Sequence, residues 1–394
     1  MQDSQYLYFD GLDQPLLLTG CGYLTEDFPI LFPEHDYRIG EQDDKPIFSI
    51  RFDGETYHFS TSWLEEVKCY TDKVEVLCDL ISKLAYARSF YDLEALYLHA
   101  ASVVINGRLV VFPSQFRAGK SFLTACLVAA GHLYLSDDVV PVTLDTCKGR
   151  SAGFAPRLRL PLPDTVDEKS KQFIDSHMAL KGKRYAYLGL EQELRVAGDE
   201  RFDIGAFVLL EREEGIHAQL EELPVATVFQ QLIKQNFARE VDGVRVLSTL
   251  TQAVSNAQCI KIRYDRAEEA VRLLTEHFSS WPAKKTEPLQ LNTDEPSLET
   301  KTIELVSDDC FVQNMHAQKI GIEGESFLTS PDGKAIYHLN QIGSGIWELL
   351  AEPTSKKEII SILETAFPQI QRTTIESDVT KILTSFQSNN LISQ

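Results

Sequence analysis

LHAASVVINGRLVVFPSQFRAGKSFLTACLVAAGHLYLSDD, residues 98–138, decides the fold. It opens with two apolar, β-rich runs split by Asn106-Gly107, a dipeptide suited to a two-residue hairpin. QFRAGKS (115–121) follows, then FLTACLVAAG (122–131), a helix-forming run stopped by Gly131, then HLYLS, a short strand ending in Asp137 and Asp138. The order is strand, Gly-Lys-Ser loop, helix, strand, Asp-Asp. A phosphate-binding loop needs converging backbone N–H groups, a lysine that reaches the β and γ phosphates, and a Ser or Thr hydroxyl for magnesium. Gly119, Lys120 and Ser121 supply these, and Ser114 stands where the GxxxxGK[ST] pattern has its first glycine. Ser114, Arg117, Ala118, Gly119, Lys120 and Ser121 are therefore the candidate nucleotide-binding residues. A parallel sheet would bring Asp137 and Asp138 beside Lys120 and Ser121. Two adjacent carboxylates can divide the labour, one holding magnesium and the other taking the proton of an attacking hydroxyl. His99, on the strand preceding the loop, is a candidate to polarise a phosphate or assist the base. The plainer readings are a solvated Asp-Asp turn and a structural histidine.

Outward from this centre, residues 1–72 read as short strands (LYF, PLLLTG, PIFSIRF, TYHFSTS) broken by turns such as Asp53-Gly54. From Lys73 to about Ser89, Val76, Leu77, Leu80, Ile81, Leu84 and Ala85 recur at helical spacing. Residues 206–210 and 258–263 read as strands, and 226–238 and 266–278 as helices, so 73–281 is an α/β domain. Residues 282–301 are polar and proline-bearing, which reads as a linker. A second domain, 302–394, has three strand candidates (QKIGI, SFLTS, KAIYHL) and three helices, Asn340–Ala351, Ser355–Phe367 and Thr373–Ser388. Ser355 and Glu358 are spaced as a capping box.

The 394 residues carry 58 Asp and Glu against 38 Lys and Arg, a formal net charge of -20. That field repels phosphate backbones and anionic lipid, so neither nucleic acid nor membrane is an expected partner. The C-terminal helix TTIESDVTKILTSFQS has Lys381 as its only base, beside Glu376 and Asp378, which argues against DNA recognition. Seven scattered cysteines form no CxxC pair, and the N-terminus has no secretory pattern. Free thiols in a cytoplasmic protein are the expectation.

The stretch 98–138 resembles the core of the HPr kinase/phosphorylase superfamily, and within it the HPr kinase-related proteins. The likeness extends, more weakly, through APRLRLPLP (155–163), AFVLLEREEG and LIKQNFAR to about residue 278. It implies an α/β P-loop fold shared with phosphoenolpyruvate carboxykinases, ATP and Mg2+ as cofactors, and phosphorylation of a serine hydroxyl. The family's active-site histidine, Gly-Lys-Ser and Asp-Asp fall on His99, Gly119, Lys120, Ser121, Asp137 and Asp138. The resemblance implies Asp137 as general base, with His99 and Lys120 as its catalytic partners, and Asp138 with Ser121 on the metal side. The C-terminal signature of the classical enzyme is missing, so HPr itself is not the implied substrate. Arg157 and Arg159, at alternate positions, are candidates to clamp phosphate. Lys234, Gln235, Asn236 and Arg239 form a second polar cluster.

The region YHLNQIGSGIWELLAEPTSKKEIISILETAFPQ and the helix after it resemble PqqD-type domains, winged-helix elements that recognise peptides in ribosomal-peptide modification systems. The resemblance covers roughly 312–394 and implies that a peptide adds as a strand near 333–338 and packs against the helix 373–388. Trp347 reads as a core anchor. The expected protein is thus a cytoplasmic kinase of a hydroxyl, a serine by resemblance, with a peptide or protein substrate held through 312–394. Homo-oligomer formation stays open. The alternatives are a scaffold with a decayed P-loop and a small-molecule kinase.

Overall fold

The computed structural model describes residues 3–41, 45–113, 118–238, 240–282 and 310–394. Ser114, Arg117, Arg239 and the linker after Pro282 lie outside the described residues. The fold is mixed α/β with several separate sheets. The described residues form two compact units. One comprises the described residues within 1–223, 234–240 and 256–285, the other those within 224–233, 241–255 and 286–394.

In the first unit, the N-terminal β-rich segment forms a six-stranded sheet, in the spatial order Tyr37–Gly40, Ser4–Phe9, Leu16–Thr19, Phe48–Phe52, Tyr57–Thr61, Leu64–Tyr70. The helix Lys73–Tyr91 follows, started by Asp72, whose side chain accepts from the Val74 N–H. It buries Val76, Leu77, Leu80, Ile81, Leu84 and Ala85, the face expected from their spacing.

A nine-stranded sheet carries the central segment. Ala101–Ile105 and Arg108–Phe112 pair as an antiparallel hairpin with Ile105 opposite Arg108. The two loop residues both take positive φ, 47° at Asn106 and 76° at Gly107, as such a tight turn demands. Asn106 also ties the turn down by donating to the Phe278 carbonyl at 2.6 Å. Leu133–Ser136 pairs antiparallel with Ala101–Ile105, and Arg201–Arg212 pairs parallel with Arg108–Phe112. The strand before the Gly-Lys-Ser loop and the strand before Asp-Asp are therefore parallel to each other with one antiparallel strand between them. Both end on the same side of the sheet. The helix Lys120–Ala129 packs Leu123, Cys126 and Leu127 into a buried cluster with Phe112, Val208, Ile262 and Leu274. Burial at roughly 25 cal/mol per Å² of apolar surface, not helix propensity, holds this ten-residue helix in place.

In the second unit, Lys319–Ile322, Glu325–Thr329 and Ile336–Leu339 form an antiparallel sheet. The helices Gln341–Leu349, Lys356–Ala366 and Arg372–Ser388 follow. Asn340 caps the first of them, and Ser355 with Glu358 closes the capping box of the second. The helices Val225–Gln235 and Gly243–Ser255 pack mainly here, although the sequence reading groups them with 73–281. Phe229 meets Phe327 edge-to-face at 4.7 Å, Gln230 contacts His338, and the Gly243 N–H donates to the Gly333 carbonyl at 2.7 Å. Gly243–Ser255 and Glu168–His177 are helices that the sequence reading leaves unassigned.

Trp347 is the anchor of this core, 2% exposed and edge-to-face with Phe386 at 5.7 Å. Trp347→Ala is expected to destabilise the C-terminal unit by about 3–5 kcal/mol. Urea titration followed by circular dichroism measures it, and a loss below about 1 kcal/mol would contradict its anchoring role. Among the described residues, no helix is long and apolar enough to cross a membrane. All seven cysteines are free thiols.

Candidate functional site

Gly119 sets the loop's exit. Its φ of 87° is left-handed, a conformation that glycine adopts without a side-chain clash, and it places Lys120 and Ser121 in the first turn of the helix. No side chain caps that helix at Gly119. Lys120 is only 7% exposed, and burial pushes its ammonium pKa down, while Asp138 and Asp137 act against that shift. A buried lysine held charged by two carboxylates is a feature of a charge-handling site, because an uncompensated one would lose its proton.

Asp137 and Asp138 leave the strand Leu133–Ser136 in different directions. Asp137 is buried. Its carboxylate accepts from the Arg157 backbone N–H at 2.9 Å, from the Tyr134 hydroxyl at 3.3 Å, and from the Ser121 hydroxyl. Burial, then the neighbouring Asp138 charge, raise its pKa above the usual carboxylate range, and Arg157 offsets only part of this. Asp138 is more open. It meets His99 Nε2 at 3.0 Å and the Arg157 guanidinium at 3.2 Å. Burial works to raise its pKa as well, but the His99 hydrogen bond and the Arg157 charge outweigh it and hold the carboxyl below its ordinary value. Neighbouring carboxylates pushed in opposite directions are an arrangement from which acid and base roles are built.

His99 is not on the strand preceding the loop, which is Arg108–Phe112; it lies between the strands Ala95–Leu98 and Ala101–Ile105, and its backbone N–H is held by the Gln235 carbonyl at 2.9 Å. The Phe237 N–H in turn donates to the Tyr97 carbonyl at 2.9 Å. The polar cluster read at 234–236 thus forms a short bridge against Ala95–Leu98. Arg157, on the strand Arg157–Arg159, also donates to the Cys78 thiol at 2.9 Å.

These groups border one pocket of about 330 Å³. Its wall includes His99, Asp137, Asp138, Arg157 and Lys234, with Tyr86, Phe154, Tyr187 and Phe237 as its aromatic lining. Among the described residues, Gly119, Lys120 and Ser121 are not part of that wall. His99, Lys120, Ser121, Asp137 and Asp138, five residues singled out in the sequence, come together here. Ala118 and Gly119 immediately precede them. Ser114 and Arg117 fall outside the described residues. Tyr134, Cys78 and Tyr187 escaped the sequence reading. Only Tyr134 had a usable signal, being three residues before Asp137 on the same short strand.

Residues 325–392 match the family model described as coenzyme PQQ synthesis protein D (PqqD). Among solved structures, the chain is similar to TbiB1 in complex with the TbiA(beta) leader peptide, at 23% identity over 21% of this chain and 94% of that chain, with a TM-score of 0.20. No curated protein matches. The chain carries a PqqD-like domain at its C-terminus.

Proposed function

We propose that the protein is an ATP- and magnesium-dependent kinase that transfers the γ-phosphoryl group to a hydroxyl, a serine by its resemblance to the HPr kinase-related proteins, of a peptide captured by the PqqD-like domain. The observation that carries this reading is the meeting of Lys120 and Ser121 with the Asp137–Asp138 pair, which together with His99 and Arg157 borders a pocket that, among the described residues, Gly119, Lys120 and Ser121 do not line. On this reading the nucleotide takes one side of the carboxylates and the acceptor the other.

The residues present fit a magnesium nucleotide. Lys120 is buried at the start of a helix whose N-cap, Gly119, has no side chain to occupy the first-turn N–H groups, the environment in which phosphate oxygens are received. No group of three or more His, Cys, Asp or Glu is gathered as a metal site among the described residues. Magnesium needs none, since it is commonly held by one or two carboxylates together with substrate phosphates and water. Ser121 and Asp137, joined by a hydrogen bond, would hold it. Bound there, magnesium neutralises charge on the phosphates.

Lys120 binds and orients the phosphates. Asp138 faces the pocket and is held by His99 and Arg157, so it is the carboxylate on the acceptor side. These roles for the two aspartates are the reverse of those that the resemblance implies. The acceptor oxygen bonds to the γ-phosphorus as the bond from phosphorus to the β–γ bridging oxygen breaks. The electron pair leaves with ADP, and the hydroxyl proton passes to Asp138. In a loose transition state the hydroxyl proton is released late, so a carboxylate of low basicity suffices to accept it.

Peptide capture is supported by the family match and by an open edge. Among the described residues, Ile336–Leu339 pairs with a strand on one side only. The Tyr337 hydroxyl donates to Asn389 at 3.0 Å, which ties this strand to the end of the helix Arg372–Ser388. An extended peptide can add to such an edge by main-chain hydrogen bonds.

The test is incubation with γ-labelled ATP, magnesium and serine-containing peptides. Label is expected on the peptide only when both nucleotide and magnesium are present. Peptide binding without any nucleotide binding or transfer would leave a scaffold and overturn the kinase reading. The pH profile adds a second check. A magnesium-side Asp137 must be ionised, and its raised pKa means that it takes up a proton earlier than an ordinary aspartate as pH falls. In kcat/KM for magnesium-ATP, which reports the metal-free enzyme, transfer should therefore fail on an acid limb lying above pH ~4, the ordinary Asp value, and a limb at or below that value would contradict the role.

A further inference from the structure

We infer that Cys69 is a reactive thiol of the N-terminal sheet: with His58 as its base and Asp53 behind the ring, it attacks the disulfide of a low-molecular-weight thiol and keeps half of it as a mixed disulfide. The inference rests on three residues remote in sequence from the phosphate loop, and it is independent of the kinase reading.

The strands Tyr57–Thr61 and Leu64–Tyr70 pair antiparallel, with His58 directly opposite Cys69. Alternation along the first of them buries Tyr57, Phe59 and Thr61, so His58 and its cross-strand neighbour lie on the face turned away from the core. The Cys69 thiol is 3.4 Å from His58 Nδ1, and His58 Nε2 is 2.7 Å from Asp53 Oδ2. Thiol, imidazole and carboxylate are thus joined through both ring nitrogens. The turn at 53–56 sets the carboxylate. Asp53 Oδ1 accepts from the Glu55 N–H at 3.0 Å and from the Thr56 N–H at 2.9 Å, while Gly54 supplies the positive φ of 109°. Oδ2 is left for the ring.

The His58 hydrogen bond first, then the Thr56 and Glu55 N–H groups, hold the Asp53 carboxyl below the usual range. Asp53 is therefore ionised at neutral pH and can only accept. It follows that Nε2 carries the ring proton and Nδ1 offers its lone pair to the thiol, the tautomer that a base requires. In the reaction the Cys69 proton passes to Nδ1 and Sγ attacks one sulfur of the disulfide. The new S–S bond forms as the old one breaks, and the electron pair leaves on the second sulfur, which takes the proton from the imidazolium. Cys69 is oxidised and the leaving thiol is reduced, so the disulfide is the only oxidant needed. Access also sets Cys69 apart, since it is the one exposed cysteine of the seven. Burial pushes the thiols of Cys21, Cys78, Cys126 and Cys147 up, away from the nucleophilic thiolate.

The experiment treats the full-length protein with glutathione disulfide at pH 7, quenches with acid and follows glutathione at each cysteine by peptide mass mapping. The same chain unfolded in urea at the same pH gives the rate of an unassisted thiol in the same sequence. Such a thiol is only a few per cent thiolate at pH 7, so Cys69 in the folded protein is expected to react about 10-fold faster than in the unfolded chain, and ahead of the other six. His58→Gln keeps a polar side chain on the solvent face but removes the base. It should bring folded Cys69 down to the unfolded rate while the thermal melt stays near that of wild type. Cys69 reacting no faster in the folded wild type than in urea overturns the inference, because exposure alone then accounts for its chemistry. This comparison decides even where His58→Gln fails to fold. An undiminished rate in folded His58→Gln overturns it as well.

Discussion

Lys120→Ala is expected to abolish nucleotide-dependent transfer, by about 10³-fold or more, without loss of the fold. The large effect follows from where the charge sits. Lys120 is almost wholly enclosed, and burial already disfavours its ammonium form. A cation kept there despite that cost interacts with phosphate through little water, so its removal loses a strong interaction. The fold should survive for the same reason. Alanine is a better helix former at the start of Lys120–Ala129, and removing a buried charge removes its desolvation penalty. The variant does leave Asp137 and Asp138 without their lysine, which raises the Asp137 pKa further and relieves part of the depression of Asp138. Its melting temperature is therefore expected within a few degrees of wild type near pH 6, with nucleotide affinity reduced. Transfer at the wild-type rate in this variant would end the phosphate-loop assignment. Lys120→Arg separates charge from shape: a planar fork in a cleft shaped for a point charge should restore little of the rate.

What was legible in the sequence divides by distance along the chain. The hairpin at Asn106-Gly107, the helix stop at Gly131 and the Ser355–Glu358 capping box are local, and each is formed by residues within a few positions of one another. Backbone sterics and short hydrogen bonds fix such features, so composition and spacing reveal them. The approach of Asp137 to Ser121 was legible for a different reason: strands joined through one helix must end on the same side of the sheet if they run parallel. The sequence could not say that an antiparallel strand lies between the two. It also gave no route to Cys78 or Tyr187. These reach the site from the long helix and from a separate three-stranded sheet, and only packing brings them near Arg157. The helices Val225–Gln235 and Gly243–Ser255 illustrate the same limit. Their amphipathic spacing can announce a buried face but not which partner buries it, and Phe327 and Gly333 lie far along the chain.

The roles we propose for the two aspartates are the reverse of those that the resemblance implies, and the difference is large enough to measure. The family resemblance makes Asp137 the base. In the structure Asp137 is the enclosed member, bonded to Ser121, Tyr134 and the Arg157 backbone, whereas Asp138 reaches His99 and the Arg157 guanidinium at the pocket. Asp138→Asn is therefore expected to lower kcat by about 10²- to 10⁴-fold with magnesium-nucleotide affinity nearly unchanged, because the lost group acts only in the chemical step. Asp137→Asn should weaken magnesium-nucleotide binding and turnover together. Asparagine keeps the size of aspartate and can still accept from the Arg157 N–H, so neither change should empty the site of its packing. Nucleotide titration in the presence and absence of magnesium, followed by single-turnover transfer on each variant, distinguishes the two effects. If Asp137→Asn loses turnover alone while Asp138→Asn loses magnesium-nucleotide affinity, the order implied by the resemblance is right and the hydrogen bond from Ser121 is not a mark of the metal side. Full transfer in both would leave the pair a polar turn beside a pocket and remove the mechanism.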